Sequence, residues 1–182
     1  MDSTLAYAED RPITALVLPS RRVAVGSALL AVACVLGLVE SALPPLAVIP
    51  WLRVGIANIA VLVALLLVGA RTAAVVSLGR VGLIGLFTGS LASPAFGISM
   101  AGAMCALAAM WLVARHVHGA SAVGISAAGS AAHVIGQFAA AAAVLGTPAL
   151  LVLAPPSVLA ALVLGAATGL VAGLTVSRLR DR

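Results

Sequence analysis

Glu40, Arg53, Asn58, Arg80, His133 and Gln137 are the residues of this 182-residue sequence whose chemistry most needs a reason, because each stands inside or at the end of a long apolar run. In hydrocarbon a polar or ionisable group is costly, so it faces a cavity, a partner or a bound molecule. The guanidinium of Arg53 is a fork of donors that can clamp a carboxylate or a phosphate. Asn58 and Gln137 both donate and accept, and His133 brings an imidazole able to carry a proton. His133 and Gln137 are four positions apart, so a helix would present them on one face. These residue types in these places form a candidate substrate-binding set, with no catalytic residue among them.

For each of them a structural reading stands beside the functional one. Glu40 and Arg53 either line an outward-facing pocket beneath the proline-rich loop 41–52, a possible lid, or lie in interfacial water. Arg80 comes nine residues after Arg71, roughly 13 Å deeper along a helix axis. It either has a partner inside the bundle or marks a membrane helix that begins later than Arg71. His133 and Gln137 either hold a ligand or hydrogen-bond across helices to fix packing. Cys34 and Cys105 have no His or Cys neighbours at metal-ligand spacing and read as small buried hydrophobes. No metal and no cofactor is expected.

The elements that position these residues follow from composition. Hydrophobic residues make up 63% and charged residues 8% of the chain, and the mean hydropathy is +1.24. A soluble domain keeps about a quarter of its residues charged, so the solvent here is lipid. Arg, Pro and Gly cut the chain into apolar pieces of membrane-spanning length, about 20 residues each. Six spans are expected, at 23–39, 54–70, 72–91, 95–114, 122–145 and 158–176, with Pro94 opening the fourth. An N-terminal arm (1–22) and a basic tail (178–182) flank the six-helix domain at 23–177, and the first helix is read as uncleaved rather than as a signal peptide.

All ten basic residues are arginines, and their placement gives an orientation. Arg21 and Arg22, Arg71, Arg115, and Arg178, Arg180 and Arg182 fall on one side of the membrane if the chain crosses six times. Short arginine-bearing loops resist translocation, so that side is the cytoplasm and both termini lie in it. Trp51 and Trp111 stand near span ends as interfacial anchors. Because most of the arginines are scattered at span ends and they form no patch, the net charge of +5 does not point to nucleic acid. Small residues repeat every four positions at Gly165, Gly169 and Gly173, at Gly85 and Gly89, and at Ala24 and Ala28, where helices or a partner can approach closely.

With these residues in view, the sequence resembles the bacterial Gx transporter family, whose members are often labelled heptaprenyl diphosphate synthase component I. The likeness runs from about Leu38 to Gln137. It is carried by Glu40 and the prolines after it, by Arg53-Val-Gly-Ile-Ala-Asn58-Ile, by Arg80 with Gly85 and Thr88-Gly89-Ser90, by Ser99-Met-Ala-Gly102, and by 129–137. The family commonly has asparagine directly after the histidine, where this chain has Val134. The resemblance implies a six-helix fold similar to the substrate-binding subunits of energy-coupling-factor vitamin transporters, with a pocket covered by the loop after helix one. Ala24 and Ala28 would then match the surface that meets the coupling partner. It also implies a tie to isoprenoid or quinone metabolism and a flavin-like cargo.

The function expected is therefore a multi-pass transporter or substrate-capture subunit for a small molecule in the bacterial cytoplasmic membrane. Without lysine the chain has no phosphate-binding loop of the P-loop type, so energy would come from a partner ATPase module or an ion gradient. The other expectation is a non-catalytic membrane component of polyprenyl diphosphate synthesis, partnered by a prenyl synthase subunit. Catalysis on a diphosphate through Mg²⁺ needs clustered carboxylates, yet the only acids are Asp2, Glu9, Asp10, Glu40 and Asp181. A purely structural membrane subunit is a third reading.

Overall fold

Long alanine, valine and leucine runs in lipid have one economical backbone solution, a helix that satisfies every N–H and C=O internally. The computed structural model, which describes residues 19–42 and 55–180, contains six α-helices. They are α1 (Pro19–Ala42), α2 (Asn58–Leu67), α3 (Ala70–Phe87), α4 (Pro94–His116), α5 (Ala122–Leu145) and α6 (Ala154–Arg180), with a 3₁₀ turn at Pro148–Leu153 before the last. Among the described residues there is no strand, and the protein is an all-α membrane bundle. Five of the helices, all except α2, are long and apolar enough to cross a bilayer. Large apolar side chains such as Val23, Phe87, Val152 and Val163 stand exposed on their outer surfaces, where lipid replaces a core as their neighbour.

Helix ends follow local chemistry. Ser93 caps α4 through the Phe96 N–H, with Pro94 at its first position, and Ser121 caps α5 through the Gly124 N–H. Pro155 and Pro156 sit in the first turn of α6, where a missing N–H costs nothing. α1 already includes Arg21 and Arg22, and α6 continues through Arg178 to Arg180. Both are therefore longer than the expected spans. The segment 1–18 lies outside the described residues.

α2 differs most from expectation. A span was expected over 54–70, and the helix is ten residues, about 15 Å against a hydrocarbon core of about 30 Å. Its position explains its length. Every residue from Ala60 to Leu66 is buried, and the helix packs against α1, α3 and α6 in the centre of the bundle. A helix apolar on all sides has to be surrounded, and one shielded from lipid by its neighbours need not match the thickness of the bilayer. Gly69, at φ 116, adopts a backbone that only glycine takes readily and turns the chain straight into α3.

Close contacts fix the helix directions. A β-carbon at Gly26 would stand 3.0 Å from Thr72 Cγ2, one at Gly79 3.3 Å from Leu30 Cδ1, and one at Gly37 2.6 Å from Ile84 Cδ1. Numbers rise together along both helices, so α1 and α3 are parallel. The chain must therefore return between them, and α2 with its flanking turns makes that pass. By the same test Gly102 with Gln137 and Gly129 with Met110 make α4 and α5 antiparallel, and Gly165 and Gly169 with Ser130 and Ser126 make α5 and α6 antiparallel, while the short turn between Phe87 and Pro94 brings α4 back against α3 with Phe96 on Gly85. These directions put Arg21, Arg22, Arg71, Arg115, Arg178 and Arg180 toward one end of the bundle.

The small-residue repeats have separate fates. Gly165 and Gly169 lie within van der Waals reach of the α5 backbone, and Gly173 faces Ala122. Gly85 receives Phe96, but Gly89 makes no such contact: at φ 67 it terminates α3 in a left-handed turn with open space about it. Ala24 and Ala28 are exposed on the outer face of α1. Cys34 is half-buried, whereas Cys105, expected to be buried, is exposed on α4.

Candidate functional site

The end of the bundle opposite the arginines brings together the end of α1, the start of α2 and wall residues of α3, α4 and α5. Glu40 is the last described side chain of α1, and its carboxylate accepts a hydrogen bond of 2.5 Å from the Gly55 N–H. An ionised acceptor makes such a bond strong, and its place just before α2 also suits the positive end of the helix dipole. Gly55, at φ 71, then opens a turn in which its carbonyl accepts from the Asn58 N–H at 2.9 Å. Glu40 thus ties the end of α1 to the start of the buried helix.

Behind this tie lies a cavity of about 330 Å³. That is the lower end of the range for small-molecule sites. Glu40, Asn58, Arg80, His133 and Gln137 all line it. Five of the expected substrate-binding residues, drawn from α1, α2, α3 and α5, therefore share one space, although up to 97 positions separate them in sequence. Arg53 and Trp51 lie outside the described residues, as does the loop beyond Ala42.

Arg80 and Asn58 are buried, at 8% and 7% exposure. α3 runs unbroken from Ala70 to Phe87, so Arg80 is a mid-helix residue turned into the bundle and not the marker of a later helix start. His133 and Gln137 occupy adjacent turns of α5, both half-buried, and they lie over Gly102 of α4. The rest of the wall is mixed. Thr88, Ser90 and Ser99 add hydroxyls, while Ile84 and the ring of Phe96 supply apolar surface. Thr88 and Ser90 are hydrogen-bonded to each other at 2.8 Å, and the Thr88 hydroxyl also donates to the Ile84 carbonyl. One cation, one carboxylate, an imidazole, two carboxamides and an aromatic face make a site suited to an amphipathic molecule with an anionic or hydrogen-bonding head. Among the described residues no group of three His, Cys, Asp or Glu gathers as a metal site.

A family model described as heptaprenyl diphosphate synthase component I matches residues 29–175. The chain belongs to that family. The match takes in every side chain on the cavity wall, together with all of α2 to α5. No curated protein and no solved structure matches the chain significantly.

Residue types alone did not single out Phe96, Ser99, Thr88 or Gly37 as wall residues of this family member. A hydroxyl in a membrane helix bonds to its own backbone at little cost, so it carries no signal of burial against a cavity. Gly37 lies at the closest approach of α1 to Ile84 and 3.7 Å, as a β-carbon, from the Cδ of Arg80. Its signal would have been spacing, three residues before Glu40 on the same face. At the other end of the molecule the Arg115 guanidinium lies 5.3 Å from the Trp111 ring centroid, a cation–π contact that holds the tryptophan beside its basic turn.

Proposed function

We propose that this family member captures or transports a small molecule, and that Glu40, Asn58, Arg80, His133 and Gln137 bind it. The observation that carries the reading is the convergence of these five side chains on one cavity inside a membrane bundle. A buried arginine with a half-buried carboxylate and imidazole is costly in lipid, and a ligand that uses them gives that cost a purpose. The cavity lies at the end away from the arginines. With the arginine-rich end in the cytoplasm, it opens toward the outside of a bacterial cytoplasmic membrane, and the arm 1–22 and tail 178–182 are cytoplasmic. Arg53 is assigned to the same site as a clamp for an anionic group. The cargo is vitamin-, flavin- or isoprenoid-like. Ala24 and Ala28, exposed on α1, would be available to an energising partner of the energy-coupling-factor type.

The family description favours a second reading, a non-catalytic membrane component that partners a heptaprenyl diphosphate synthase subunit. The sole acid among the described residues is Glu40, and one carboxylate cannot organise Mg²⁺ on a diphosphate. In that reading the chain is a scaffold and the soluble subunit does the chemistry.

Purification in mild detergent followed by mass spectrometry of co-purifying small molecules separates the two. Capture requires a bound molecule that Arg80→Ala or His133→Ala no longer retains. A stable complex with a prenyl synthase, with no bound molecule under any condition, selects the scaffold.

A further inference from the structure

Gly102, buried on α4, faces two of the three cavity residues of α5, His133 and Gln137. A β-carbon there would stand 2.6 Å from Gln137 Cγ, 3.0 Å from His133 Cε1 and 3.1 Å from the His133 carbonyl oxygen. Interiors are close-packed, so atoms cannot share such distances without moving. Two of the three atoms belong to side chains that reach the cavity, and the third is backbone, which cannot rotate away. Even the smallest side chain at position 102 must displace the Gln137 stem and press His133 back by a few tenths of an ångström.

The same helix pair supplies its own comparison. Gly129 faces Met110, with Cγ at 2.5 Å, and Gly136 faces Cys105, with Sγ at 2.7 Å. All three glycines allow α4 and α5 to approach, as small residues do between membrane helices. Neither Met110 nor Cys105 lines the cavity. Only Gly102 touches the groups that do.

We infer that Gly102 is a positioning residue, whose missing side chain seats the stems of His133 and Gln137 so that the imidazole and the carboxamide are held at the cavity wall. The inference rests on the cavity being the ligand site, but its first readout does not require a ligand. Binding groups must be held to about half an ångström to be productive, and the distances at position 102 call for a shift of that order at Gln137 and a smaller one at His133.

The test uses the full chain in detergent with His116→Gln and His118→Gln, which leaves His133 as the one histidine of the original three. Its imidazole Cε1–Hε1 signal is followed by NMR. Gly102→Ala is expected to move that signal and to lower retention of any co-purifying molecule by at least about tenfold, as displaced binding groups do. Gly129→Ala is expected to lower the thermal midpoint and leave the His133 signal in place. Should Gly102→Ala fail to fold, Gly102→Ala with Gln137→Ala removes the closest contact, and its His133 signal is compared with that of Gln137→Ala alone. A stationary His133 signal in the position-102 variants, or an equal displacement in Gly129→Ala, overturns the inference. If the unaltered chain retains no molecule while Gly102→Ala still moves His133, the capture reading fails and the positioning stands.

Discussion

Arg80 is one of two buried ionisable or carboxamide residues on the cavity wall, with Asn58, and its neighbours Glu40 and His133 are the other groups there that can carry charge. A guanidinium at that depth repays its desolvation best by binding two oxygens of one anionic group at once, a geometry that a lysine cannot copy. Arg80→Lys should therefore keep the charge and still lose most ligand retention, with Arg80→Ala losing all of it. Equal retention by Arg80→Lys and the parent would mean that charge alone is used. Glu40 has a structural duty as well. Glu40→Ala leaves the Gly55 N–H without its carboxylate and should cost about 1–3 kcal/mol, whereas Glu40→Gln keeps an acceptor and should cost less. Thermal unfolding in detergent measures the difference, and identical midpoints for the two variants would refute the tie between α1 and α2.

At the scale of helices, glycines decide which surfaces can meet. A β-carbon at Gly169 would stand 2.7 Å from Val123 Cα and 2.8 Å from the Ala122 carbonyl oxygen, both backbone atoms that cannot step aside. Gly169→Ala should thus force α5 and α6 apart and cost about 1–3 kcal/mol. Gly82, with nothing within 4 Å, is the matched control, and Gly82→Ala should be neutral or slightly stabilising because alanine favours helix. Thermal midpoints that fall equally in both variants would show that close approach to α5 does not control the response. The repeat of four that marks Gly165, Gly169 and Gly173 was readable because a packed ridge has that period. Gly85 and Gly89 have the same period and different roles, since a left-handed helix end and a packing notch both ask for glycine. α2 was misjudged in length for a related reason: an apolar run records the absence of water, and it does not distinguish lipid on the outside from neighbouring helices on every side.

For the molecule as a whole, composition was enough to make lipid the solvent, and polar residues out of place in it pointed to the cavity because each had to be accommodated somewhere. What one chain could not disclose was the company those residues keep. Glu40 and His133 are 93 positions apart, and only the packing of α1 to α5 places both on one wall. The parallel run of α1 and α3 makes the strongest demand on topology, because it requires the ten-residue α2 to carry the chain back through the bundle. Arg71 and Arg115 then share an end, and Ser90 lies at the other. Cysteines placed singly at 71, 115 and 90, after Cys34→Ala and Cys105→Ala, can be probed in intact cells with a membrane-impermeant maleimide. Positions 71 and 115 should be protected until the membrane is opened, while position 90 should label from outside. Labelling of 71 and 115 from opposite faces would mean that α2 does not complete its pass, and the outward orientation proposed for the cavity would fall with it.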